Sequence, residues 1–284
     1  MFLEGRSCHL DLNRPRIMGI LNVTPDSFSD GGQYIDCQTA VVHARKMALE
    51  GADLIDIGGE STRPGAQPVS QQEEMDRVLP VVERVHKEVN LPISIDTTKS
   101  RVAEAAIEAG CAFVNDVSGL MTDSAMGEVV ARSGAGLFVM HARGRPADMQ
   151  LNTTYDDVVE EVFESLKESL RRAERAGVAR TKLAIDPGIG FGKDLLGNLE
   201  LLRRLDRFTE LGRPVLIGTS RKSFLGAITG KKTPEKRLAG TLATLALGVA
   251  GGARIFRVHD IAPAREALMT AWAVCQGQNW LEPK

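Results

Sequence analysis

The segment Ile17-Met-Gly-Ile-Leu-Asn22-Val-Thr-Pro-Asp-Ser-Phe28-Ser-Asp-Gly-Gly32 sets a short apolar run directly against a polar turn that ends in two glycines. Such a run, bounded by turn residues, reads as a buried strand. The turn then separates two folds. An open doubly wound sheet would carry a G-x-G-x-x-G phosphate loop after its first strand, and this turn holds none. Outward from this segment the same unit recurs eight times, with strand candidates at 17–21, 54–57, 93–95, 113–115, 137–140, 183–185, 215–217 and 255–258. Between them lie helix candidates such as 72–89, 155–176 and 235–250, whose apolar residues return every three or four positions. Apolar strands alternating with helices indicate a parallel sheet covered on its outside, and eight of them close without an exposed edge. The expected fold is therefore α/β, a (β/α)8 TIM barrel forming one domain over residues 1–284, with a short hairpin within residues 1–14.

A chain of 284 residues, 43% hydrophobic and 25% charged, can bury a large core, which excludes disorder, collagen and a disulfide-stapled miniprotein. The net charge of −2 provides no positive field for a phosphate backbone, so no nucleic-acid partner is expected. Cys8, Cys37, Cys111 and Cys275 are widely spaced and lack C-x-x-C pairing, which suits reduced thiols. The N-terminus does not pair a basic start with an apolar run, and the stretch from Leu238 to Ala253 is too short and too rich in Gly, Ala and Thr to cross a bilayer. The expectation is a cytoplasmic protein without a membrane partner.

Barrel active sites lie at the carboxyl ends of the strands. The residues found there are Asn22; Glu60 to Gly65; Asp96; Asn115 and Asp116; Met140 and His141; Asp186; Ser220 to Ser223; and Arg257 to Asp260. Any one Asp after a strand can simply cap a helix, and Asp116 and Asp260 are read that way. Asp96, Asn115 and Asp186 come from different strands and would share one pocket, where unpaired carboxylates are costly. Two carboxylates and an amide suit a flat, nitrogen-rich ring with several N–H donors. On the opposite wall, Arg63, Arg257 and His259, with Thr62 and Asn22, offer forked and hydroxyl donors suited to a diphosphate.

Other strings are discounted. Gly188-Ile-Gly-Phe-Gly192 follows Asp-Pro at the sixth strand and does not open a βαβ unit, so it is read as a mobile substrate loop. Gly226-Ala-Ile-Thr-Gly230-Lys-Lys-Thr233 has the wrong spacing for a P-loop, and the five histidines form no zinc-ligand pattern. A magnesium ion bridged by phosphate stays open.

Together, Met18 to Gly32, Ile55 to Gly65, Ser94-Ile-Asp96-Thr, Val114 to Gly119, Asp186 to Lys193, Ser220 to Phe224 and Arg257-Val-His259-Asp260 resemble the dihydropteroate synthase family over nearly the whole chain. The resemblance implies a homodimeric TIM barrel. It joins 6-hydroxymethyl-7,8-dihydropterin diphosphate to p-aminobenzoate with Mg2+, in folate biosynthesis. It places Asp96, Asn115, Asp186 and Lys222 at the pterin, with Met140 in the substrate pocket. It places Thr62, Arg63, Arg257 and His259 at the diphosphate and Asn22 at the metal, while Phe28, Pro64, Phe191 and Ser223 shape the p-aminobenzoate site. The resemblance implies that Asp96, Lys222, Arg257 and His259 carry the catalytic roles. Cys111, and Arg143 and Arg145 in the fifth loop, depart from the family's usual residues. One rival reading transfers a methyl group from a reduced folate; another is a catalytically silent pterin-binding protein. A third makes Lys222 a Schiff-base nucleophile, set aside because its loop looks polar and solvated.

Overall fold

The computed structural model describes residues 1–24, 33–62, 65–145 and 147–281. Phe28, Arg63 and Pro64 lie outside the described residues.

Eight parallel strands make the sheet: β3 (Arg16–Asn22), β4 (Leu54–Gly58), β5 (Ile93–Asp96), β6 (Phe113–Asp116), β7 (Gly136–Met140), β8 (Leu183–Asp186), β9 (Leu216–Ile217) and β10 (Ile255–Val258). Their order is β8-β7-β6-β5-β4-β3-β10-β9. A parallel bridge between Ile185 and Val215 joins the two ends, so the sheet closes into the expected barrel. β9 is the shortest strand, and Val215, expected within it, contributes that bridge instead.

Helices cover the barrel where the apolar periodicity placed them, with their ends set by caps. The helix read at 72–89 is α2 (Gln71–Glu88), started by Ser70, whose hydroxyl accepts from Glu73 N–H. The helix read from Tyr155 is α5 (Val158–Arg175), because Asp157 accepts from Val159 and Glu160 N–H and stops the pattern from running further back. The third reading, 235–250, splits into a 3-10 turn Pro234–Arg237 and α8 (Leu238–Ala250). No helix among the described residues is long and apolar enough to cross a membrane.

The N-terminal strands β1 (Phe2–Gly5) and β2 (Cys8–Asp11) pair antiparallel. Leu3, Leu10 and Leu12 pack with Met18, Leu54, Phe113, Phe138, Ala184, Leu216 and Ile255 in one buried cluster. These strand residues face inward at the amino end of the barrel, and the hairpin plugs that end. Side chains two positions further along a strand return to the same face. Two residues on from Leu54, Phe113, Phe138, Ala184 and Ile255 stand Asp56, Asn115, Met140, Asp186 and Arg257. An apolar floor thus lies directly beneath a layer at the mouth that is polar at every one of these positions but Met140.

Candidate active site

Asp96, Asn115 and Asp186 are buried in that polar layer on β5, β6 and β8. Asn115 donates its amide Nδ2–H to Asp56 Oδ2 at 3.0 Å. Arg257 donates from Nε to the same oxygen at 2.6 Å and from Nη2 to Asp96 Oδ2 at 2.7 Å. One guanidinium therefore bridges two carboxylates across the barrel. Arg257 thus stands among the buried carboxylates of β4 and β5, not on a wall opposite them. Its long stem starts at the inward face of β10, and the two buried anions attract its guanidinium. Asp186 Oδ1 accepts from Gly188 N–H at 2.7 Å, turning its second oxygen free of the backbone.

Burial dominates the titration of these groups. It lifts the Asp96 carboxyl to about 7, with Arg257 pulling it down and Asp56 pushing it up. Asp186 is lifted to about 6, again by burial, against the Gly188 N–H and Lys222. Burial would lower the Arg257 pKa, but Asp56 and Asp96 outweigh it and hold the guanidinium firmly charged. Lys222 is half-buried, its Nζ 4.0 Å from the centre of the Phe191 ring, and burial followed by Arg257 lowers its pKa to about 8. The expectation of a solvated Lys222 was wrong: Arg221 takes a positive φ of 61°, and the turn it makes tucks the following lysine into the mouth. A Schiff-base role is still disfavoured, since an amine of pKa about 8 stays mostly protonated at neutral pH.

His259 lies at the end of β10 in contact with Ser220. The Ser220 hydroxyl accepts from the His259 backbone N–H at 3.2 Å and sits 3.0 Å from Nδ1. Its own proton is then free for Nδ1, which leaves the proton of a neutral ring on Nε2. Burial, then Arg221 and Arg257, lower the His259 pKa to about 3. Asn22, the last residue of β3, and Thr62, in the loop after β4, are half-buried, Met140 and Phe191 are buried in one apolar cluster with Met149, and Ser223 is exposed at the start of α7 (Ser223–Thr229).

The model of the family described as pterin binding enzyme matches residues 18–259. The chain belongs to the pterin binding enzyme family. It is 45% identical over 279 residues to a dihydropteroate synthase of Escherichia coli, covering 98% of both chains. A dihydropteroate synthase of Xanthomonas albilineans solved with 4-aminobenzoic acid is 47% identical, with TM-score 0.91, covering 97% of this chain and 98% of that one. Another structure from that organism, in complex with 7,8-dihydropteroate, is 43% identical with TM-score 0.87, covering 98% and 99%.

Within this pterin binding enzyme, several residues matter that sequence reasoning passed over or misplaced. Asp56 is the first, sitting mid-strand between Ile55 and Ile57 in an otherwise apolar run; that interruption was its signal. Lys193 is the second: buried, it donates to the carbonyls of His141, Pro187 and Gly188 at 2.9 to 3.0 Å and lies 2.8 Å from His141 Nδ1. With Asn198 Oδ1 accepting from Gly190 N–H and Tyr155 donating its hydroxyl to Gly192 O, it ties down the 188–192 loop that was expected to be mobile. Lys99 is the third, bridging Glu60, just before Thr62, to buried Glu74 on α2. Asp116 does serve as a cap, but of its own loop, accepting from Ser118 and Leu120 N–H. Asp260 stands at the start of α9 (Ile261–Gln276) without capping it and pairs with both ends of the Arg221 fork. Arg143 lies over the Tyr155 ring and pairs with Glu161, so this departure from the family pattern stiffens the fifth loop.

Proposed function

We propose that this chain joins 6-hydroxymethyl-7,8-dihydropterin diphosphate to p-aminobenzoate, releasing pyrophosphate and forming 7,8-dihydropteroate for folate biosynthesis. It is thus a transferase of the dihydropteroate synthase type. The observation that carries this reading is the convergence of Asp96, Asn115, Asp186, Lys222 and Arg257 at one barrel mouth in a member of the pterin binding enzyme family. Asp96, Asn115 and Asp186 accept from the ring's N–H donors, with Lys222 above the Phe191 ring and Met140 lining the pocket. Thr62, Arg63, Arg257 and His259, the last through Nε2–H, donate to the diphosphate, and Phe28, Pro64, Phe191 and Ser223 border the p-aminobenzoate.

The methylene C–O bond breaks and its electron pair leaves with the diphosphate, whose growing charge is met by Arg257 and His259. The reduced ring delocalises the positive methylene, and ionised Asp96 stabilises it. The amine nitrogen then forms the new C–N bond and gives its proton to water. An aniline lone pair is already free at neutral pH, so no protein base is assigned.

The amide oxygen of Asn22 is a hard ligand, and the described residues hold no group of three or more His, Cys, Asp or Glu suited to a metal. Asn22 would hold Mg2+ carried in by the diphosphate, and the ion would supply charge neutralisation there. A homodimer is supported by the exposed Leu196 and Leu199 on α6 (Leu195–Arg203), Ile228 on α7 and Leu247 on α8, three helices in mutual contact. The free cysteines support a cytoplasmic setting, and the hairpin's packing into the barrel supports a single pterin-binding domain.

The test is pyrophosphate release that depends on p-aminobenzoate. Asp186→Ala is expected to lose pterin affinity and Arg257→Ala to lose turnover. Parental rates in both variants would overturn these roles.

A further inference from the structure

Asp56 is fully buried in the middle of β4, and no expected substrate contact includes it. Its Oδ2 accepts from both Asn115 and Arg257, while Oδ1 meets no donor among the described residues. A carboxylate so placed is costly unless its partners compensate it, and an apolar side chain would suit the strand better. Both of its partners are residues to which the proposed function gives a substrate contact. We propose that Asp56 is a positioning residue of the pterin pocket, which sets the faces that the Asn115 amide and the Arg257 guanidinium present to the ligand.

An Asn side chain has a donor end and an acceptor end of nearly equal shape, and its partner decides which way each points. A carboxylate acceptor selects the NH2 end of Asn115. Its Oδ1 is thereby turned toward the mouth, where Asp96 and Asp186 also accept. All three then offer acceptors to a ring edge that carries donors. With Asp56 absent, the amide is free to turn and set N–H against N–H. Arg257 is gripped at Nε, which fixes the plane of the fork while its terminal nitrogens remain for Asp96 and for an anion.

This inference rests on the pterin reading, and the experiment separates the two. Calorimetric titration of the unmutated protein with 6-hydroxymethylpterin must show binding; its absence overturns the pterin reading itself. Given binding, Asp56→Ala is expected to weaken it roughly 10- to 100-fold, the scale of a hydrogen bond to a charged group, without changing the KM for p-aminobenzoate. In an Asn115→Ala background the same substitution is expected to cost much less, because the amide it orients is gone. Unchanged pterin affinity in Asp56→Ala, or an equal loss in both backgrounds, overturns the positioning role. Should Asp56→Ala not fold, the unmutated protein decides by NMR. The Asn115 side-chain amide protons are expected to stay protected from exchange when the pterin binds, since their acceptor is Asp56, and loss of that protection refutes the proposal.

Discussion

Asp186 and Asp96 illustrate how burial couples binding to pH at the scale of single residues. Both carboxyls are raised, to about 6 and about 7, and under the proposed function ring N–H donors would bind their ionised forms. Pterin binding therefore expels protons, and kcat/KM for the pterin diphosphate is expected to rise with pH through that window and level off above it. A flat profile between about pH 5 and pH 8 would contradict the assignment. The same shift has the opposite sense for folding. A carboxyl whose folded pKa lies above its unfolded value of 3.8 favours the folded state below that value, and the contribution is lost as pH rises through about 6. Asp186→Asn keeps an oxygen for the Gly188 N–H. It is expected to be more stable than the parent at alkaline pH by on the order of 1 to 3 kcal/mol, and no more stable at acid pH. Paired urea titrations at the two pH values measure this. A variant that binds ligand worse while folding better is the signature of a carboxylate kept for function.

At the scale of elements, the loops after β7 and β8 act as one body because Lys193 spans them. Lys193→Met removes the donor to the carbonyls of His141 and Pro187, at a cost of about 1 to 3 kcal/mol each before relaxation, while Gly188 O keeps the Phe191 N–H. The expected result is a lowered Tm, faster amide exchange within 187–192, and a higher KM for the pterin diphosphate, because Asp186 and Phe191 sit on that loop. Unaltered exchange there would show that the loop is held by other means. The hairpin makes a separate test of the barrel's other end. Leu3 is fully buried against the barrel floor, and Leu3→Ala is expected to cost about 2 to 5 kcal/mol while leaving activity per folded molecule intact, since the floor lies beneath the polar layer and outside it. Chemical denaturation with an activity assay on the folded fraction reads both quantities.

For the whole molecule, the exposed leucines on α6 and α8 and Ile228 on α7 bear on assembly. Sedimentation at micromolar concentration is expected to give a dimer, and Leu247→Glu to shift it toward monomer; a monomeric parent would end that proposal. Local periodicity already determined eight strands, their helices and a polar residue at most strand ends, because side-chain alternation and the 3.6-residue helical turn are properties of short segments. Asp96, Asn115, Asp186, Lys222 and Arg257 were legible for the same reason, each standing at or just beyond an apolar run. Barrel closure decided the rest. It placed Arg257 between Asp56 and Asp96, half-buried Lys222 against Phe191, and let Lys193 fasten two loops. Partners 161 and 201 residues apart in the chain meet only after every strand has taken its register, and no local pattern encodes which of several charged groups will share one buried space.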